Sequence, residues 1–158
     1  MTANALECRK FTSEWKKPLY AFLKDLETCR EREYFRPHAF TEEALQQLLD
    51  SVCDDLYYIT VVENSVLAYG MLRGWDQGYE VPSLGIAIHP TARRQGLGKL
   101  FMRFLHAAAF YKGANKVRLR VKTENAVAIQ LYKDLGYQFQ PDDEEFLIGY
   151  LDLTQQAR

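Results

Sequence analysis

A glycine-rich, basic turn between an apolar strand and an apolar helix is the segment of this sequence best suited to chemistry. Gly96 and Gly98 allow the backbone to come close to a ligand, and the helix after them begins with N–H groups that have no acceptor within the helix. The positive end of the helix dipole favours an anion there, and Arg93, Arg94 and Lys99 add cationic donors. The turn therefore predicts a phosphate-binding site, although a Gly-x-Gly pair alone is also typical of a tight turn beside a solvated basic patch.

Two common phosphate loops do not match this turn. A Walker loop requires Gly at position 93 and Ser or Thr at position 100, where this chain has Arg93 and Leu100. A dinucleotide-binding fingerprint requires Gly or Ala at position 101 and an acidic residue at the end of the next strand, where it has Phe101 and Lys122. The phosphate would have to be held in another way.

The turn and a second motif together resemble the GNAT superfamily of acyl-CoA-dependent N-acetyltransferases. The pyrophosphate loop of that family, Gln/Arg-x-x-Gly-x-Gly/Ala, matches RRQGLG at 93–98, which follows an apolar strand and Pro90. Its second signature, Asn-x-x-Ala-x-x-Leu-Tyr-x-x-x-Gly-Phe/Tyr, matches NAVAIQLYKDLGY at 125–137. The resemblance covers residues 67–139 and implies acetyl-CoA as the cosubstrate.

The elements that must position these motifs form one domain. The chain has 158 residues, of which 47% are hydrophobic, and no repeat, linker or low-complexity tract divides it, so we expect a single domain over residues 1–158. Apolar and polar alternation predicts strands at 6–12, 57–62, 66–72, 83–89, 116–122, 137–139 and 146–151. Helical spacing predicts helices near 18–26, 41–52, 100–113 and 125–136. The order indicates an α/β (α+β) chain, a mixed sheet with helices on both faces.

The resemblance refines this to the GNAT fold. It implies a mostly antiparallel central sheet of about six to seven strands, with about four helices on both faces. It also implies that the sheet splays between the fourth and fifth strands, so that backbone groups of the fourth strand meet the cofactor instead of a neighbouring strand.

The same resemblance implies a set of cofactor-binding residues. The pyrophosphate would lie on the amides after Arg94, the pantetheine arm would pair with the fourth strand, and Asn125 would bond the arm while also capping its helix. The implied set is Ile86, Ala87, Ile88, Arg93, Arg94, Gln95, Gly96, Leu97, Gly98, Lys99, Asn125, Ala128 and Tyr132.

Acetyl transfer to an amine requires a neutral amine, a polarised carbonyl and a proton for the leaving thiolate. The resemblance places Tyr132 near the sulfur as the acid, although a tyrosine there also suits packing on the sheet. The N–H of Ile88, or of a neighbour, could polarise the carbonyl. The base stays open. Glu80, acting directly or through water, and His89, which also suits a strand cap, are the leading candidates, with Glu33 and His38 behind them.

Two loops rich in aromatic residues, 30–38 and 74–82, are predicted to build the acceptor site. The candidate substrate-binding residues are Glu33, Tyr34, Phe35, His38, Trp75 and Tyr79. Aromatic walls with mixed charges favour a small amine such as an amino sugar, amino acid or polyamine, and Arg32 or Arg36 could receive a phosphate or carboxylate on it. Acetylation of a protein N-terminus or lysine, or a non-catalytic CoA-binding sensor domain, remain the alternatives.

Composition limits the partners. With 20 Lys and Arg against 21 Asp and Glu, the net charge of −1 argues against nucleic acid as a partner. Three widely spaced cysteines and no zinc-like spacing predict free thiols and no metal. No secretory signal or apolar run of about 20 residues is present, so we expect a cytoplasmic protein without a membrane partner. Exposed strand edges near the C-terminus make a homodimer plausible.

Overall fold

The computed structural model describes residues 5–29 and 34–155, which form one seven-stranded sheet flanked by helices. The strands are β1 (Leu6–Lys10), β2 (Leu56–Val62), β3 (Ser65–Arg73), β4 (Ser83–Ile88), β5 (Lys116–Lys122), β6 (Gln138–Pro141) and β7 (Phe146–Asp152). The α-helices of the described residues are α1 (Lys16–Glu27), α2 (Glu42–Asp50), α3 (Leu97–Tyr111) and α4 (Ala126–Asp134).

The strand order is β1-β2-β3-β4-β5-β7-β6, and every neighbouring pair is antiparallel except β4 and β5. The predicted mixed, mostly antiparallel sheet is therefore confirmed. The parallel pair arises because the chain crosses from β4 to β5 through α3, whereas the antiparallel neighbours β2 and β3 need only a short turn.

One face of the sheet is covered by α3 and α4. Phe101, Met102 and Leu105 of α3 are fully buried against this face, where they join Val117 and Leu119 of β5. Because side chains alternate along a strand, the basic residues that alternate with these two, Lys116, Arg118 and Arg120, project to the other face. The alternation of residues 116–122 thus reports a strand with one buried face.

The other face is covered by α1 and α2, but only over the β1–β4 half of the sheet. Phe22 and Leu23 of α1 and Leu45 of α2 pack against Tyr69 and Met71 of β3. Helices therefore lie on both faces, as predicted, and β5, β7 and β6 carry polar and aromatic side chains on the face that α1 and α2 leave free.

The helix ends follow ordinary capping chemistry. The hydroxyl of Thr41 accepts a hydrogen bond from the Ala44 N–H at 3.1 Å, which confirms the predicted start of α2. The helix ends at Asp50, two residues earlier than predicted, and Val52 beyond it is fully exposed. No helix among residues 5–29 and 34–155 has the length and apolar character needed to cross a membrane.

A buried histidine on the core-facing side of α3 should make folding sensitive to acid. His106 is 6% exposed, its Nε2 lies 2.7 Å from the Tyr137 hydroxyl, and burial lowers its pKa to about 4. The unfolded chain takes up this proton near pH 6.5, so the stabilisation is complete above that pH and is lost as the pH falls toward 4. Between pH 7 and 4.5 the wild type should lose about 2–3 kcal/mol of unfolding free energy more than His106→Gln, measured by urea titration at each pH. Equal losses in the two proteins would contradict this assignment.

Candidate functional site

The strands β4 and β5 separate almost as soon as they meet. Among the described residues their ladder contains one pair, Ser83 with Arg118, and the Arg118 N–H donates to the Pro82 carbonyl at 3.0 Å. Beyond this pair the two strands diverge and leave a gap, which we call the strand gap. The predicted splay between the fourth and fifth strands is therefore confirmed.

The strand gap exposes backbone groups of β4. Pro82 directs its carbonyl to β5, whereas the His89 N–H donates to the Leu67 carbonyl of β3 at 2.7 Å. Because backbone groups alternate along a strand, Ile86 and Ile88 direct theirs into the gap and Ala87 directs its own to β3. Of the three β4 residues predicted to bind the cofactor, two therefore present backbone groups to the gap, and Ala87 instead packs its side chain in the core.

The glycine-rich turn and the start of α3 lie at the open end of the strand gap. Gly96 has φ +80°, a left-handed conformation that glycine adopts without strain, and α3 begins at the next residue. The first helical hydrogen bond runs from the Leu100 N–H to the Gly96 carbonyl at 3.1 Å. The amides of Leu97, Gly98 and Lys99 therefore have no acceptor within the helix, as an anion site requires.

Gly98 brings both sequence motifs together. A Cβ atom at this position would lie 3.6 Å from Leu131 of α4 and 3.8 Å from Ile88 of β4, so all three elements meet here. The absence of a side chain allows α3 to start against the end of β4 without a spacer.

Three cationic side chains lie near the start of α3, one bonded to β4 and two exposed. Arg93 donates from Nη2 to the Ile88 carbonyl at 3.2 Å and thereby ties the turn to β4. Arg94 and Lys99 are exposed, and neither forms an ion pair with a described residue. Two cations next to three amides without helical acceptors make this end of the sheet suited to a pyrophosphate.

Asn125 caps α4 beside the strand gap. Its side-chain oxygen accepts from the Ala128 N–H at 3.3 Å, so its amide N–H₂ group remains available to a ligand. The predicted double role, cap and ligand donor, is sterically consistent with this arrangement.

Tyr132 lies in the aromatic cluster of α4 and the last strands. Its ring centroid is 5.7 Å from that of Tyr137 and 6.5 Å from that of Phe139, and no described residue forms a hydrogen bond with its hydroxyl. Burial raises the pKa of Tyr132 to about 12. The phenol therefore keeps its proton at neutral pH and can donate a hydrogen bond to an anion.

A cavity adjoins the Ser83–Arg118 pair, where the strand gap begins, on the sheet face that carries α1 and α2. We call it the tyrosine cleft; its volume is about 810 Å³. Its lining residues are Asp55, Tyr57, Arg73, Gly74, Gln77, Gly78, Tyr79, Glu80, Val81, Ser83, Arg118 and Tyr150. A gap with free backbone groups and a polar cleft thus meet at Ser83 and Arg118.

Comparison with known proteins decides the family. The model of the acetyltransferase (GNAT) family matches residues 19–137. The chain belongs to the GNAT family.

Sequence relatives of this GNAT chain include enzymes named for the acetylation of proteins. The N-terminal acetyltransferase B complex catalytic subunit naa20 of Schizosaccharomyces pombe is 32% identical over 87 residues, 50% of this chain and 48% of that protein. The ribosomal protein bS18-alanine N-acetyltransferase of Escherichia coli is 36% identical over 58 residues, 37% of this chain and 39% of that enzyme. The chain spans less than half the length of each of these relatives.

Solved GNAT structures share the fold over nearly the whole chain. The spermidine N-acetyltransferase of Vibrio cholerae in complex with CoA and spermine has a TM-score of 0.78 at 13% identity, over 97% of this chain and 98% of that one. The PaiA N-acetyltransferase of Thermoplasma acidophilum in complex with coenzyme A has a TM-score of 0.78 at 16% identity, over 94% and 99%. At these identities the likeness is one of fold.

The predicted acceptor residues of this GNAT chain divide between several places. Tyr79 and Glu80 line the tyrosine cleft. Tyr34 donates its hydroxyl to Glu124 at 3.4 Å, just beyond the end of β5, and Phe35 is buried in the core, 8% exposed. Glu33, like Arg32, lies outside the described residues.

Trp75 is not brought to the tyrosine cleft. Its ring lies under the Lys112 ammonium, 5.0 Å away, and packs with the core on the α3 face of the sheet. Two aspartates hold the loop that carries Trp75 against the segment before β2. The Gly74 N–H donates to Asp55 at 3.0 Å, and the Asp54 N–H donates to Asp76 at 2.7 Å.

His38 is held by two hydrogen bonds. Its Nδ1 is 2.7 Å from the Ala39 carbonyl, so this nitrogen carries the proton, and Nε2, 2.9 Å from the Tyr69 oxygen, accepts from that hydroxyl. Burial lowers the pKa of His38 below its usual value. The imidazole is therefore neutral, but its accepting nitrogen is already in use.

His89 is likewise held on both sides. Its Nδ1 accepts from the Thr91 N–H at 3.2 Å, and its Nε2 donates to Asp25 of α1 at 2.8 Å. The side chain caps the turn after β4 and ties it to α1, which is the capping role that the sequence left open. Its geometry favours that role over a base.

Residues that the sequence reasoning missed supply the floor of the tyrosine cleft. Tyr57 and Arg73 come from the ends of β2 and β3, and Arg118 and Tyr150 face each other in the β5–β7 ladder. The alternation of residues 116–122 places Arg118 on the free face of β5. The pairing of β5 with β7, which brings Tyr150 beside Arg118, has no signal in the local sequence.

Proposed function

We propose that this chain transfers an acetyl group from acetyl-CoA to a primary amine of a small molecule in the tyrosine cleft. The observation that carries the proposal is the strand gap, whose free β4 backbone groups lie beside the amides at the start of α3. This pairing suits a ligand with a pyrophosphate at one end and amides along its arm, and it adjoins a polar cleft in which an amine can lie.

The cofactor would bind by backbone groups and two cations. Its pyrophosphate would accept hydrogen bonds from the amides of Leu97, Gly98 and Lys99, with the Arg94 and Lys99 side chains beside it. The pantetheine amides would pair with the Ile86 carbonyl and the Ile88 N–H in the manner of an added strand, since Arg93 already bonds the Ile88 carbonyl. The thioester would then lie within the strand gap, near the Ser83–Arg118 pair.

The transfer would proceed by direct attack. The amine nitrogen attacks the thioester carbonyl, a C–N bond forms, the C–S bond breaks, and the thiolate leaves with the bonding electron pair. The Ile86 N–H, which also faces the strand gap and lies nearer to the Ser83–Arg118 pair, can stabilise the developing oxyanion. With a pKa of about 12, Tyr132 is a weaker acid than a thiol, so it stabilises the thiolate chiefly by donating a hydrogen bond.

Glu80 is the proposed acceptor of the amine proton, directly or through water. Its carboxylate is exposed in the tyrosine cleft, and no described residue forms an ion pair with it. The two histidine candidates already use their accepting nitrogens. Among the candidates within the described residues, Glu80 is therefore the one with free lone pairs on the acceptor side.

A protein N-terminal amine is the second candidate acceptor. The relatives from fission yeast and Escherichia coli, which align with half of this chain or less, are both named for N-terminal or alanine acetylation. The tyrosine cleft, lined by exposed residues such as Tyr79 on one side, can also admit the end of a peptide.

The proposal is tested with purified protein, acetyl-CoA and a panel of amines. Free thiol should appear only when an acceptor is added, at least 100-fold above the hydrolysis of acetyl-CoA alone for the best small amine. The panel contains amino acids, amino sugars and polyamines, and peptides of about eight residues with free N-termini as a separate arm. Thiol release with peptides alone would establish the second candidate, and CoA binding without release from any amine would leave the sensor alternative.

A further inference from the structure

Arg118 is an unpaired cation in the wall of the tyrosine cleft. Its Nε is buried and has no hydrogen-bond partner, and none of the residues 5–29 and 34–155 forms an ion pair with its guanidinium. Arg120, two residues further on the same face of β5, is different: it bonds Asp142 at 2.6 Å and Asp143 at 2.8 Å.

Arg118 is half-buried, and a buried N–H such as its Nε without an acceptor is costly, so proteins normally supply one. Arg73, the other arginine of the cleft, donates to the Pro37 carbonyl at 2.6 Å and is in use. Within the part of the chain that the structure describes, Arg118 is therefore the cation of the cleft that is left for a ligand. Ser83 and Tyr150, its neighbours in the β4 and β5–β7 pairings, line the cleft beside it.

Of the two acidic side chains in the cleft, one is likewise bonded within the protein and the other is not. The Asp55 carboxylate accepts from the Gly74 and Asp76 N–H groups at 3.0 and 3.2 Å, so it serves the loop. Glu80 has no such partner among the described residues. The tyrosine cleft thus contains one cation and one anion that are both free for a ligand.

We infer that the acceptor is zwitterionic: a small amine that also carries a carboxylate, of the size of an amino acid. The inference rests on the proposed function. Arg118 receives the carboxylate in the planar, two-pronged geometry that guanidinium groups favour. The ammonium group lies toward Glu80, which takes one proton, directly or through water, before the nitrogen attacks. The second proton leaves the nitrogen to water as the C–N bond forms and the C–S bond breaks. Polyamines, which carry only positive charge, are disfavoured by Arg118.

Matched acceptors test this with the full chain. Thiol release is measured with phenylalanine, phenylalaninamide and phenethylamine, and with lysine, lysinamide and cadaverine, alongside a panel of the other amino acids. In each matched series the carboxylate-bearing acceptor should have a kcat/KM at least 10-fold above those of its two analogues. Arg118→Gln should raise the KM of the amino acid about 10- to 100-fold and leave the amide and amine unchanged.

Two further variants separate recognition from charge and folding. Arg118→Lys keeps the charge but loses the two-pronged contact, so its KM should lie between those of the wild type and Arg118→Gln. Lys116→Gln removes a charge from the same face of β5 outside the cleft and should leave the KM unchanged. Because Arg118→Gln removes an unsatisfied buried group, its melting temperature should not fall below that of the wild type.

The outcomes are distinct. If no amine or peptide releases thiol, the proposed function fails. If thiol is released but amides and amines react as well as carboxylates, or Arg118→Gln alters all acceptors alike, the inference is overturned and the function stands. Preference for O-phosphoethanolamine over every amino acid, or reaction with acidic peptides alone, would also overturn it.

Discussion

Replacing Tyr132 by phenylalanine should lower kcat about 100- to 1,000-fold while leaving the affinity for acetyl-CoA within about twofold. In the proposed mechanism the hydroxyl donates to the leaving thiolate, an interaction that strengthens only as the C–S bond breaks. The ring, which packs on Tyr137 and Phe139, is kept by the substitution. Steady-state thiol release gives kcat, and titration calorimetry with CoA gives the affinity.

Tyr137→Phe is the matched control. It removes a hydroxyl from the same aromatic cluster, but this hydroxyl is bonded to His106 at 2.7 Å, so its loss should cost about 1–3 kcal/mol of stability. Tyr132 forms no such bond with a described residue. Stability and turnover should therefore separate: Tyr132→Phe folds normally and is nearly inactive, and Tyr137→Phe is destabilised and active.

The pH profile adds a second readout for Tyr132. Because burial raises the pKa of its phenol to about 12, the group stays protonated and kcat should not fall between pH 8 and 10. If Tyr132→Phe retained wild-type turnover, the tyrosine would be only a packing residue, and the thiolate would leave without its help.

The cofactor side of the site could be predicted because its parts are consecutive in the chain. The strand, the glycine turn and the helix over 83–111 form one β–turn–α unit, so a local pattern fixes their relative positions. The cap at Asn125 is also local, since it depends on an N–H three residues later. Such contacts need no knowledge of how distant segments pair.

The acceptor side could not be predicted in the same way because it depends on long-range pairing. Arg118 and Arg120 look alike in sequence, and only the position of the β6–β7 turn, which brings Asp142 and Asp143 to one of them, distinguishes the two. Trp75 was expected in the cleft with the other loop aromatics. Lys112, at the far end of α3, holds it on the opposite face instead.

Two predicted catalytic histidines show a related limit. A pKa near neutrality makes any histidine look like a base, but the available lone pair depends on partners from other elements. Asp25 of α1 accepts from Nε2 of His89 and so keeps the proton there, which leaves the lone pair on Nδ1, and the Thr91 N–H occupies that lone pair. Tyr69 of β3 occupies the lone pair of His38. Glu80 is the stronger candidate for the base only because no described residue forms a hydrogen bond or an ion pair with its carboxylate.

Replacing Gly96 by valine should weaken CoA binding about 10- to 100-fold. Gly96 has φ +80°, and a β-branched residue held there costs roughly 1–3 kcal/mol. A Cβ at this position would meet nothing within 4 Å, so the protein can relieve the strain by rotating the turn rather than by unpacking its core. That rotation turns the amides of Leu97 to Lys99 away from the pyrophosphate, and calorimetry with CoA measures the loss.

Gly113→Val is the matched control, because it imposes the same kind of strain far from the cofactor. Gly113 has φ +106°, a Cβ there also meets nothing within 4 Å, and it follows the opposite end of α3. Both variants should lose similar stability on urea titration, but only Gly96→Val should lose CoA affinity. Equal CoA affinity in the two variants would mean that the α3 amides do not bind the pyrophosphate. In that case the exposed cations Arg94 and Lys99 would have to hold it alone.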